Sequence, residues 1–388
     1  MNDLWPRRSL LTATAGTVAA TTLTPLIDDA AAESRHSRRR FTPRSFVDPH
    51  AAAAPTASGR QIKTLAVDAA GRVYPGHGDW DRNVGPITLH YLNPRSGTFI
   101  NTTLTMPTES TEYIRSINGR ILVPNADPLT YWEGGQPLAL QRHDGTFAMS
   151  GWSNTVHAYD VCHLGNYRHA YAVMGSYIDA SRGIASHAVY FTFDEGRTFQ
   201  VVLYPTESLE SAWPETCFWV RRSLFVTAKG SLWRWNGHRP QAWSTWHDYF
   251  AEVRQNFHLT HRPSVGHSTA ANGRIAVMNG RYQGAPGTYA FNGSDLWQVS
   301  SCYTPHVAAT ESGGLIYCLG PQGLLRSYDG RSWWLHGGTT NLSQQFLSLA
   351  IDATTVWGGT PDSTIWAFAA TEGPWERIGG SRPRRLVG

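Results

Sequence analysis

From about residue 61 to the C-terminal region, one short unit keeps returning. A hydrophobic strand leads through a Gly turn into a second strand, and a third strand ends in an Asn/Asp-Gly turn and an aromatic residue. The clearest copies are Leu315–Trp334, Ile275–Trp297 and Leu224–Trp243. Such a unit cannot bury both of its faces alone, so it has to stack on neighbours of the same kind. Short strands repeated every ~35–50 residues predict an all-β propeller with four-stranded blades. Seven units can be laid out, over 61–110, 111–154, 155–207, 208–258, 259–305, 306–340 and 341–380, with six or eight as the neighbouring counts. Trp246–Phe257 is the one stretch that reads as helical.

Composition agrees with this. Only 16% of the 388 residues are charged, while 16 Trp, 16 Tyr and 37 Gly suit face-packed strands joined by tight turns. After the first thirty positions no apolar run approaches the ~18 residues of a membrane-spanning helix. Residues 1–32 read differently. Pro6-Arg7-Arg8-Ser9-Leu10-Leu11 resembles the twin-arginine export motif, a weakly hydrophobic stretch follows to Ile27, and Ala30-Ala31-Ala32 offers a small-residue cleavage site. This predicts a signal peptide and a secreted or cell-envelope protein that folds before export. Residues 33–60, rich in Arg, Ala, Pro and Ser, read as a linker. The propeller is expected over 61–380 and a basic tail over 381–388.

The formal charge of +4 is unevenly placed. Two arginines and three aspartates precede Glu33, and five arginines with one glutamate occupy 33–44, which leaves the remainder at +1. A nearly neutral body lacks the cationic face that nucleic acid requires. The Arg tracts suit anionic cell-wall polymer or plain solvation. Cys162, Cys217, Cys302 and Cys318 show no CxxC or zinc-ribbon spacing; a Cys302–Cys318 disulfide and free buried thiols are both open.

Thr192-Phe-Asp194-Glu-Gly196-Arg-Thr198-Phe199 resembles the Asp-box turn of sialidase-like (BNR-type) propellers, and Ser327-Tyr-Asp329-Gly330-Arg-Ser332-Trp333 is a version shorter by one residue. In such a turn the Asp carboxylate accepts backbone N–H groups, Gly takes a positive φ and the aromatic packs between strands. The opening unit around Gly76–Pro86 is similar to stretches in propellers of actinobacteria and their phages. The resemblance implies architecture only. The chain has no F/Y-R-I-P motif and no assignable arginine triad or Tyr–Glu pair, so sialidase activity is not implied.

No P-loop, HExxH, GxSxG elbow or strand-linked GxGxxG occurs. The positional signal lies at the entry of each unit's first strand, which in a propeller borders the axis. Tyr113, His157, His267 and His306 stand there, with Glu215 and Cys217 in the fourth unit. Converged on the axis they would suit a sugar, a metal such as Zn, or only water and neighbouring backbone. The loop carrying His77, Asp79, Trp80, Asp81, Arg82 and Asn83 is a second candidate, for a sugar ring or for Ca at Asp79, Asp81 and Asn83. Its Gly85 and His90 break the EF-hand spacing, and an Asx-stabilised turn explains the same residues. Asp127–Trp132 with Glu133 sets aromatics beside carboxylates, as in glycoside hydrolysis or in blade core. These features predict binding of a glycan or cell-surface polymer at the axial face. A glycosidase or polysaccharide lyase using that face, and a protein-interaction scaffold, are the alternatives.

Overall fold

In blades one and seven the innermost strands are largely apolar, and this drives them to the centre of the molecule. Thr64–Val67 and Ser348–Ile351 are buried at every position, whereas the outer strand Thr98–Met106 buries only Leu104 and Met106. The computed structural model describes residues 43–378, apart from 79–84, 112, 126–134, 180, 204–215, 229–230, 236–238, 241, 243–245, 249–256, 260–268, 283–284, 300–308, 321–322, 337–345, 353 and 370–374. Within these residues the fold is seven antiparallel blades, each built on a four-stranded sheet, forming a β-propeller.

Blades one to four follow chain order from inner to outer strand, beginning at Thr64–Val67, Arg115–Ile117, Thr155–His163 and Cys217–Val220. Blade five has its inner edge in two pieces, Phe257–Leu259 and Thr269–Ala271, which pair with successive parts of Ala276–Tyr282. Blade six starts at Ala309–Ser312 and blade seven at Ser348–Ile351. Seven apolar clusters fill the seams between blades. One joins Phe218, Phe225 and Leu232 to Phe291 and Leu296, and another joins Ala350, Trp357 and Ile365 of blade seven to Leu65, Val73 and Leu92 of blade one. The ring is therefore closed by the same kind of packing that builds each seam.

Three expectations are corrected. The segment 33–60 is not all linker, because Arg44–Val47 forms the outer strand of blade seven, in register from Arg44↔Ala367 to Val47↔Thr364. Pro49–Ala52 follows as one short helical turn, capped by Asp48, whose carboxylate accepts the His50 N–H at 2.9 Å. The physical reason is a single apolar anchor that the Arg-rich composition hides: Phe46 packs onto the blade seven–blade one core while Arg44, Ser45 and Val47 stay exposed. The strand ending the seventh unit, Trp375–Ile378, does not close blade seven; it adds a fifth strand to blade six, against Trp333–His336. Finally, the helix read over Trp246–Phe257 is replaced at both ends by strand, His247–Asp248 in blade four and Phe257–Leu259 in blade five, and 249–256 lie outside the described residues. Among the described residues no helix is long and apolar enough to cross a membrane.

The two Asp-box-like turns are tightly bonded. The Thr192 hydroxyl accepts the Gly196 N–H at 2.7 Å, and Asp194 accepts the Thr198 N–H at 3.0 Å and its hydroxyl at 2.7 Å. Gly196 has φ 82°, where a side chain would be strained. At the other turn Asp329 accepts the N–H groups of Arg331 and Ser332, both at 2.8 Å, and Trp333 Nε1 donates to the Gly330 carbonyl at 3.0 Å.

Candidate functional site

The inner strands of all seven blades, with the turns that follow them, surround an axial cavity of about 910 Å³. Inner strands contribute few charged groups, so those they do contribute stand out. Arg115 extends from blade two, its guanidinium forming a two-pronged pair with Asp160 of blade three: Nε to Oδ1 at 2.8 Å and Nη2 to Oδ2 at 2.9 Å. Its Nη1 donates to the Thr269 carbonyl of blade five at 2.9 Å. Asp160 is buried and also accepts the Thr216 hydroxyl at 2.5 Å and the Cys217 N–H at 3.1 Å, both from blade four, and the Val161 N–H at 2.8 Å. One ion pair therefore ties four blades together across the axis. Burial by itself would lower the Arg115 pKa, but the charge and hydrogen bonds of Asp160 outweigh it and raise it.

Glu311 comes from blade six and lines the same cavity. It opens to the channel but is walled in by the surrounding blades, and that enclosure pushes its carboxyl up to about 7 against the pull of Arg115. Trp219, from blade four, adds an indole to the wall. The indole can lie there because residue 165 is glycine: a Cβ at that position would sit 2.4 Å from Trp219 Nε1. The channel thus combines a fixed cation, a carboxyl poised near neutrality, an aromatic surface and the backbone groups of many turns. That set can bind hydroxyl-bearing or carboxylate-bearing ligands and exchange a proton with them.

The residues expected from sequence fare unevenly. Tyr113 precedes the inner strand of blade two and His157 lies within that of blade three, both buried. Tyr159 joins them, its ring 5.7 Å from His157 and 6.2 Å from Tyr113. These three rings come together, but they stand apart from the residues that line the cavity. His267, His306, Glu215, Asp79, Trp80, Asp81, Arg82, Asn83 and the whole 127–133 segment lie outside the described residues. Arg115, Asp160 and Glu311 were missed. The available signal was a charged side chain inside an otherwise apolar inner strand, as in Ile114-Arg115-Ser116.

His77 belongs to a separate cluster, where the N-terminal segment meets blade one. His90 Nε2 lies 3.0 Å from both oxygens of Asp48, and the His90 ring stacks on His50 at 4.1 Å and lies 4.9 Å from His77. Burial, reinforced by His90, His50 and Lys63, pushes His77 down to about 3 despite Asp48. Burial would raise Asp48, but the His90 hydrogen bond and charge, with His77 and the His50 N–H, hold it below the usual carboxylate range. Among the described residues no group of three or more His, Cys, Asp or Glu is arranged to hold a metal ion, these histidines included. Cys318 is buried in the seam between blades five and six, and Cys302 lies outside the described residues, so their pairing is not described.

No protein-family profile matches the chain, and no curated protein matches it by sequence. Solved structures do resemble it in shape. The WD40 domain of Pan2 from Neurospora crassa aligns with a TM-score of 0.50 at 8% identity, covering 85% of this chain and 95% of that one. The β-propeller domain of the Trilobed protease from Pyrococcus furiosus, described as having an open velcro topology, gives 0.48 at 11% identity over 82% and 95%. Virginiamycin B lyase from Staphylococcus aureus gives 0.46 at 11% identity over 85% and 99%. At these identities the likeness defines a class, the β-propellers, and goes no further.

Proposed function

We propose that this protein is an exported propeller of the Asp-box type that binds a glycan or cell-surface polymer in its axial channel. The observation that carries the reading is the presence of both Arg115 and Glu311 on the wall of one roomy, turn-lined cavity, where the Arg115 charge acts on the Glu311 carboxyl. A guanidinium donates to hydroxyl or carboxylate oxygens, a carboxyl both donates and accepts near neutral pH, and an indole such as Trp219 packs against the apolar face of a sugar ring. Support for export comes from the twin-arginine-like start of the sequence, and support for the Asp-box type from the bonded turns at Asp194 and Asp329.

The test is binding of the purified protein to a panel of neutral and uronate-containing polysaccharides, measured calorimetrically alongside Glu311→Gln and Trp219→Ala. Saturable binding weakened at least ~10-fold by either substitution is the expected result. Binding to no polysaccharide, or binding indifferent to both substitutions, would sink the reading. One observation favours a second one: a carboxyl near 7 beside a guanidinium is placed for acid–base work on a glycosidic or uronate substrate. Product release from the same panel, abolished by Glu311→Gln, would decide for an enzyme.

A further inference from the structure

Two cysteines that the proposed binding role does not use face each other across the seam between blades three and four. Cys162 lies near the end of the inner strand Thr155–His163, opposite Ala172 in register. Cys217 opens the inner strand of blade four, and its thiol points at the Ala172 carbonyl, 3.6 Å away. Both side chains belong to the one buried cluster that fills this seam, the Cys162 and Cys217 thiols lie within hydrogen-bonding reach of each other, and both are free. Both also border the axial cavity, Cys162 being 9% exposed and Cys217 2%. The Cys217 N–H donates to Asp160 of blade three at 3.1 Å, a bond that ties the two inner strands together beside the thiols.

We propose that Cys162 and Cys217 form a redox dithiol, which a small-molecule disulfide entering the channel converts into a disulfide between blades three and four. Atoms and electrons balance through thiol–disulfide exchange. The Cys162 thiol gives up its proton to solvent, its sulfur attacks one sulfur of the reagent, and the reagent's S–S bond breaks to release one thiolate. Cys217 then loses its proton and attacks the Cys162 sulfur of the mixed disulfide, expelling the second thiolate. The protein loses two electrons and two protons, and the reagent disulfide is reduced to two thiols. The order of attack follows from exposure, since Cys162 has the better access to the cavity. It also follows from chemistry: burial, the neighbouring Cys162 and Asp160 raise the Cys217 thiol well above its ordinary range.

The experiment uses the full chain, folded and reduced, then exposed to oxidised glutathione without denaturant and mapped by non-reducing peptide mass spectrometry. The expected result is a single linked peptide pair containing Cys162 and Cys217, with two fewer thiols titratable after denaturation. Cys217→Ser should stop the reaction at one glutathione on Cys162, because the resolving thiol is gone. The proposal is overturned if both thiols stay reduced, if the linked pair involves Cys302 or Cys318, or if Cys217→Ser carries no adduct at Cys162. The wild-type map decides even if a variant fails to fold.

Discussion

Arg115 Nη1 and the Thr269 carbonyl, 2.9 Å apart, join blade two to blade five across the axis of the propeller. Neighbouring blades hold each other by apolar seams, but blades two and five share no seam. The guanidinium therefore supplies a direct connection that bypasses the ring of side-by-side contacts, and Asp160 extends it to blades three and four.

Removing Arg115 should be costly because it strands Asp160. Breaking one partner from a buried pair costs about 3–5 kcal/mol, most of it from the charge left behind. Arg115→Met is expected to lower stability by that order in chemical denaturation. Adding Asp160→Asn should recover part of the loss, and Arg115→Lys should fall between, since an ammonium cannot reproduce the two-pronged geometry. Equal losses in the single and double variants would contradict this account.

The histidine cluster gives stability a pH dependence of definite sign. In the unfolded chain His77 takes a proton below about 6.5, but in the fold it does so only near 3. The unfolded state thus binds more protons between these values, and stability falls as pH drops from about 6.5 towards 3. His50, lowered by burial and by His90, acts in the same direction. Asp48, itself lowered, adds a loss only once pH falls below the ordinary carboxylate value of 3.8. His77→Gln should flatten the slope by at most one proton, about 1.4 kcal/mol per pH unit, in denaturation curves taken at pH 4, 5 and 6.

Glu311 should behave in the opposite way. Its folded value of about 7 lies above the ordinary 4.5, so the fold retains a proton that the unfolded chain has released. Stability from this group is present below pH 4.5 and is lost as pH rises towards 7. Glu311→Gln is therefore expected to raise the melting temperature at pH 8 and to leave it nearly unchanged at pH 4, which thermal scans at the two values would check.

Shortening the chain to begin at Pro49 would remove the outer strand of blade seven and the Asp48 partner of His90. The strand Thr364–Ala369 would then present an unpaired edge, a template for association with other chains. The expected outcome is a lower melting temperature together with concentration-dependent oligomers in light scattering.

The blades were legible because their signal is local. Apolar strands, glycine turns and a closing aromatic recur within each unit, as Leu315–Trp334 shows, and local periodicity survives any arrangement of the rest. Arg44–Val47 was read as linker because its pairing partner, Thr364–Ala369, lies more than three hundred positions away and its own four residues carry little pattern. Trp375–Ile378 misled for a related reason, since it follows blade seven in the chain but pairs with blade six. Tyr113 and His157, expected at the axis, meet around Tyr159 but stand apart from the residues that line the cavity. Arg115, Asp160 and Glu311 were passed over because they come from separate units. Only closure of the ring reveals that such distant single charges share one space.

The pairing of Arg44–Val47 with Thr364–Ala369 also sets the timing of assembly. The first strand of the propeller to be synthesised must wait, unpaired, until almost the whole chain has left the ribosome. Closing blade seven is then a meeting of two distant segments, the kind of long-range contact that folds slowly. Whatever holds the early segment away from premature partners during that interval governs the yield of finished rings.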